Sequence, residues 1–146
     1  MHVLVVDDER DVVDLCRVSF ESGGHRVTVA EGGEEALAAV STEAPDVVLL
    51  DFMMPGLDGL SVLERLRHGH DPRHVVPVVM LSAKGRPEDA LRGLAAGATA
   101  YVTKPFSIDE VEQLLLAVAT ESPAERDVRR TRALASVAAE RSSGAG

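Results

Sequence analysis

The 146 residues of this chain suffice for one domain of ordinary size with a short appendage and are too few for two. Hydrophobic residues at 45% and charged residues at 27% suit a soluble chain that can bury a core, which excludes global disorder. A net charge of -9 repels phosphate backbones and anionic headgroups, so neither direct nucleic-acid binding nor a membrane surface is expected.

The first apolar run, residues 3–6, stops at Asp7 and is far too short for a secretory or membrane-spanning segment. After it, Val12, Leu15, Cys16 and Phe20 recur at helical spacing. Cys16 is the only cysteine, so no internal disulfide can form. It is expected to be an inert core thiol in a reducing cytoplasm. A second apolar run covers 27–30 and is followed by a helix through Ala36, Leu37 and Val40. A third covers 47–50, with a helix through Leu60, Leu63 and Leu66 beyond it. The spacing places Asp58 as that helix's N-cap, with Gly56 and Gly59 as turn residues. His68, His70 and His74 fall at the end of this helix and in the loop beyond, where solvated roles are expected rather than a transition-metal site. A fourth run covers 76–81 and a fifth 100–102. Pro87 opens a helix carrying Ala90, Leu91 and Leu94, and Ser107 caps one whose Ile108, Val111, Leu115 and Val118 face inward.

Strands alternating five times with helices predict right-handed crossovers and a parallel sheet covered on both faces. Runs one, three and four are apolar throughout and belong at the centre. Runs two and five alternate polar with apolar residues and belong at the edges. The expected fold class is α/β, a flavodoxin-like doubly wound sheet in the order 2-1-3-4-5.

Composition shifts near Thr120. Residues 1–120 carry 10 basic and 20 acidic groups, whereas residues 121–146 carry 5 and 4. The expected division is a domain over 1–120 and a tail over 121–146, partly helical or disordered, with no output domain. Arg129, Arg130 and Arg132, with Val128, Leu134 and Val137, fit either an amphipathic partner-binding helix or a helix that simply lies in solvent.

Asp7 and Asp8 follow run one, Asp51 follows run three, Ser82 run four and Lys104 run five, so all five converge on one rim of the predicted sheet. Carboxylates about 5 Å apart repel by roughly 3 kcal/mol per pair at an effective dielectric near 20. Lys104 offsets part of this repulsion, and a hard divalent cation with oxygen ligands, Mg²⁺ or in its place Mn²⁺, would offset the rest. With only two lysines against 13 arginines, a compact ammonium at 104 is notable. The other, Lys84, is expected to be solvated.

These residues stand in four motifs: Val-Val-Asp7-Asp8-Glu9, Leu-Leu-Asp51-Phe-Met-Met-Pro55-Gly-Leu-Asp58-Gly59, Met-Leu-Ser82-Ala83 and Tyr101-Val-Thr-Lys104-Pro105-Phe106. Together they resemble the receiver domains of two-component response regulators over residues 1 to about 120. The resemblance implies a signalling switch rather than an enzyme, with Asp51 as phosphoacceptor. It implies a metal held by Asp7, Asp8, Asp51 and the Met53 carbonyl, and Lys104 paired with the phosphoryl oxygens. Ser82 and Tyr101 would be the switch pair, with a cis peptide before Pro105 and an output surface near helix four, strand five and helix five. Implied partners are a sensor histidine kinase or histidine phosphotransfer protein and a downstream protein target, with a homodimer left open. A tail of 26 residues is too short for a further output domain, so a stand-alone receiver, or a piece of something longer, is expected.

Two phosphate-handling alternatives conflict with the motifs. Phosphatases resembling haloacid dehalogenases place a second Asp where Met53 stands, and the Asp-rich turn after strand one would repel a dinucleotide's pyrophosphate. A phosphorelay intermediate and a constitutive docking module of the same fold stay open as rivals. Apolar Phe52 and Met53 beside Asp51 predict slow self-dephosphorylation.

Overall fold

A computed structural model describes residues 1–68, 75–83 and 86–144, with side chains described to residue 141. His70, His74 and Lys84 lie outside the described residues. Five strands, β1 (His2–Val6), β2 (Arg26–Ala30), β3 (Val47–Asp51), β4 (Val78–Ala83) and β5 (Ala100–Lys104), form one parallel sheet in the order β2-β1-β3-β4-β5. Between and after them run α1 (Arg10–Ser22), α2 (Gly33–Thr42), α3 (Gly59–Arg67), α4 (Pro87–Ala95), α5 (Ile108–Thr120) and α6 (Pro123–Gly144). The fourth strand begins at Val78 rather than at residue 76. Pro77 has no N–H to place in a ladder, and its carbonyl accepts from Val48 at the sheet's lower edge.

Successive side chains of a strand point to opposite faces, and the core divides accordingly. Val3 and Val5 of β1 pack with Val13, Cys16 and Phe20 of α1 and Val111, Leu115 and Val118 of α5. Leu4 and Val6 pack on the other face with α2, α3 and α4. The α1 stripe is rotated from the sequence reading: Val13 is buried where Val12 was expected, and Leu15 is about half exposed. The 3.6-residue period allows both assignments, and contact with the sheet selects between them. Asp58 caps α3 by accepting from the Ser61 N–H at 2.8 Å, and Ser107 caps α5 by accepting from Glu110.

The segment after Thr120 folds back as one helix of 22 residues. A solvent-lying helix was one of the two readings open for it, and the structure differs from that one. Val137 is buried in the α2/α3/α4 core, with Ala133 and Leu134 packed against it, and α6 lies along α4 and the β5 edge. Three arginines tie down its first half. Arg126 donates to the Val118 and Val75 carbonyls, Arg130 donates to the Leu94 carbonyl at 3.1 Å, and Arg129 pairs with Glu121 through two hydrogen-bonded nitrogens. Val118 and Leu94 lie in the last turns of α5 and α4, where carbonyls lack helical partners and a cation is favoured.

Candidate functional site

Parallel register builds the rim. Val6 pairs with Leu50, Asp51 with Leu81, Ser82 with Thr103 and Ala83 with Lys104, so the residues ending each strand emerge at the same edge. Asp7 is fully buried and Asp51 nearly so, whereas Asp8 is exposed. Lys104 Nζ lies 3.0 Å from Asp7 Oδ2, 3.5 Å from Asp51 Oδ2 and 3.2 Å from Glu9 Oε1. Asp7 Oδ1 accepts from the Glu9 N–H at 2.9 Å, and Asp51 Oδ1 accepts from the Met53 N–H at 3.4 Å.

Burial pushes the Asp51 carboxyl up to about 7, and the neighbouring Asp7 charge adds to the shift. Lys104 and the Met53 N–H oppose it without cancelling it. Burial opposes the charge on Lys104, yet its contacts with Asp7, Asp51 and Glu9 raise its affinity for the proton overall. One ammonium therefore serves three carboxylates, and the site keeps a deficit of positive charge.

The donor set suits a hard divalent cation. Asp7, Asp8 and Asp51 each offer an oxygen within 4.8 Å of the others, and buried Asp7 Oδ2 has no hydrogen-bond donor, only the Lys104 ion pair. Cys16, behind Asp7, is no part of this chemistry. Burial pushes its thiol up to about 12, with Asp7 adding to the effect.

Three features beside the rim go beyond the sequence expectations. Glu9, quoted within the first motif, is the third partner of Lys104. Gly59, expected as a turn residue, is the first residue of α3. A Cβ there would stand 2.0 Å from the Asp51 carbonyl oxygen, so only glycine lets α3 start so close to the Asp51 loop. Gly56, at φ +74, is the turn residue. Arg92 of α4 lies over the Phe52 ring, 5.7 Å from its centre, tying α4 to the same loop. Sequence spacing could have flagged Glu9, two residues from Asp7. The contacts of Gly59 and Arg92 are tertiary and leave no local mark.

Ser82 is buried at the end of β4, and half-buried Tyr101 lies on the adjacent strand. Both line a cavity of about 220 Å³ with Ala83, Thr103, Val137 and Glu140, so α6 forms part of its wall. The Lys104–Pro105 peptide is cis. Exposed His68 is the C-cap of α3.

Residues 3–116 match the family described as the response regulator receiver domain. The chain belongs to that family. The receiver is 42% identical over 120 residues to the alkaline phosphatase synthesis transcriptional regulatory protein PhoP of Bacillus subtilis (strain 168), covering 82% of this chain and 49% of that one. It is 46% identical over 109 residues to the probable transcriptional regulatory protein TcrX of Mycobacterium tuberculosis (strain ATCC 25618 / H37Rv), covering 75% and 45%. The chain thus spans about half the length of these curated relatives. Among solved structures, the Francisella response regulator 1452 receiver domain superposes with a TM-score of 0.73 at 40% identity, covering 81% of this chain and 95% of that one. The receiver domain of NtrX from Brucella abortus gives 0.76 at 35%, covering 82% and 99%. Receiver domains are signalling switches of two-component systems, and this one carries the acidic cluster through which such domains bind Mg²⁺. Among the described residues, no helix is long and apolar enough to cross a membrane.

Proposed function

We propose that Asp51 accepts a phosphoryl group from a phosphohistidine of a sensor histidine kinase or histidine phosphotransfer protein, and that the modification switches a protein-binding surface on α4, β5 and α5. The observation that carries this reading is the position of Lys104, within 3.5 Å of both the buried Asp7 and Asp51 carboxylates. Phosphoryl transfer asks for positioning and charge neutralisation more than for covalent machinery. An Asp51 oxygen forms a bond to phosphorus as the phosphorus–nitrogen bond breaks. The leaving imidazole nitrogen keeps the electron pair and takes a proton. Lys104 stays within reach of the phosphoryl oxygens, and the Met53 N–H holds the other Asp51 oxygen. A Mg²⁺ or Mn²⁺ ion held by Asp7, Asp8, Asp51 and the Met53 carbonyl would supply the remaining positive charge.

Attack by water on the acyl phosphate reverses the modification. Buried Phe52 and half-exposed Met53 directly follow Asp51 in the chain, and apolar residues beside the acyl phosphate favour a long-lived phosphoprotein. Ser82 and Tyr101 are the switch pair of this reading. The phosphorylated state favours one of two arrangements of the Ser82 loop and the β5 edge, and a downstream protein, or a second copy in a homodimer, reads the difference. The net charge of -9 supports a protein partner over nucleic acid or membrane, and a cytoplasmic setting follows from the histidine kinase partnership.

The test is intact-mass measurement after incubation with Mg²⁺ and acetyl phosphate, in which the phosphorus–oxygen bond to acetate breaks instead. One phosphoryl group is expected on the wild type and none on Asp51→Asn or in the presence of a chelator. Absence of addition to the wild type under rapid sampling would overturn the reading and leave a constitutive docking module.

A further inference from the structure

The face assigned to output is already covered. Helix α6 lies along α4 and β5 and buries Val137 completely, and the same residue walls the cavity between Ser82 and Tyr101. The two halves of α6 are held differently. Among the described residues, the side-chain hydrogen bonds that join it to the rest of the domain come from Arg126, Arg129 and Arg130, beside the Ser122–Glu125 cap, at the end of the sheet remote from Asp51. The second half, from Thr131 onward, is seated by packing of Ala133, Leu134 and Val137 against α4 and the Tyr101 region, with Glu140 across the cavity from Ser82.

We propose that the α4–β5 face is a helix-binding surface whose resident ligand is the chain's own α6, and that phosphorylation of Asp51 and seating of the second half of α6 oppose each other. The proposal rests on the reading of Asp51 above and names what occupies the surface before a partner does. Ser82, drawn toward a phosphoryl group on Asp51, enlarges the cavity on the β4 side. Tyr101 is the aromatic ring beside that space, and a ring moving into it withdraws from the cavity wall it shares with Val137 and from the cluster against which Leu134 packs. The arginine-anchored half stays in place as a hinge. A partner that takes the vacated seat is then an amphipathic helix with small and branched apolar residues at the spacing of Ala133, Leu134 and Val137. Coupling of this kind is reciprocal: whatever unseats α6 also favours the phosphorylated state.

Hydrogen exchange read by mass spectrometry on the full chain, with Mg²⁺ and acetyl phosphate, tests this while intact mass reports phosphoryl occupancy in the same samples. Amides of residues 131–141 are expected to exchange about ten times faster in the phosphorylated wild type. Those of 123–130 should stay protected, and Asp51→Asn should not respond. Val137→Asp should show the fast pattern without phosphodonor and take up the phosphoryl group several times faster, with unchanged sheet protection as its folding control. The wild-type comparison stands without that variant. Phosphoryl addition with unchanged α6 exchange overturns the coupling alone, whereas no addition overturns the Asp51 reading and the coupling with it. Protection of α6 that falls on dilution assigns the seat to a second copy and overturns the internal assignment.

Discussion

The carboxylate rim lies at the C-terminal ends of the strands and the α6 seat lies along α4 and β5, and they are held by opposite kinds of interaction. At the rim, Lys104 faces two buried carboxylates and the exposed Glu9 across 3.0 to 3.5 Å. At the seat, Ala133, Leu134 and Val137 contribute contact area to a core that already exists, and among the described residues no side-chain hydrogen bond joins the second half of the helix to the domain. A charged rim is sensitive to any change of ion or proton. A packed seat yields to small changes in the shape of its neighbours, which is the property a displaceable surface needs.

Removing a rim charge should give the largest effect. Lys104→Ala leaves Asp7 and Asp51 facing each other without their ammonium, and phosphoryl uptake from acetyl phosphate should slow by about 100-fold or more, measured as initial rate at saturating Mg²⁺. A comparable loss from Val137→Ala would erase the distinction between the two regions. Next, Gly59→Ala pushes a methyl group into the Asp51 carbonyl and should cost about 3 kcal/mol in urea unfolding, a magnitude that packing changes at exposed sites do not reach.

Asp51→Asn should move stability the other way. The folded carboxyl, pushed up to about 7, binds its proton more tightly than the unfolded one, whose value is about 4. The native state therefore loses stability as pH climbs through that window, and the neutral amide escapes the loss. On the order of 2 kcal/mol of stabilisation is expected near pH 8 without divalent cation, shrinking toward pH 4 and on adding Mg²⁺. A pH-independent difference would mean that packing, not charge, sets the cost at Asp51.

Val137→Ala should cost about 1 kcal/mol, because α6 can settle partly into the space left behind. A cost above about 3 kcal/mol would place α6 in the cooperative core and weaken its standing as a displaceable ligand. The smallest effect is expected at Ser107→Ala, where losing the bond from the Glu110 N–H should cost about 0.5 to 1 kcal/mol and leave phosphoryl uptake unchanged.

Much of this was legible beforehand, for identifiable reasons. Central and edge strands differ in which faces need apolar cover, so the contrast between Val47-Val-Leu-Leu and Arg26-Val-Thr-Val revealed the strand order. The rim was legible because a parallel sheet sends every strand's last residue to one edge, which places Asp7, Asp51, Ser82 and Lys104 together without knowledge of any helix. Helix faces were less certain: Val12 and Val13 are adjacent and chemically identical, and only contact with Phe20's neighbours decides which turns inward.

The sequence by itself therefore determined the alternation of elements, the order of the strands, the caps at Asp58 and Ser107, and the set of charged residues sharing one edge. These are local consequences of periodicity, turn chemistry and the polarity of parallel strands. Tertiary structure alone decided the exclusion of any side chain larger than glycine at 59, the Arg92 contact with Phe52, and the seating of α6 over β5. A helix rich in alanine, arginine and serine carries too little apolar surface to announce its partner. Its place became fixed only when the carbonyl ends of α4 and α5 offered sites for Arg130 and Arg126, and the flank of α4 offered a cleft for Val137.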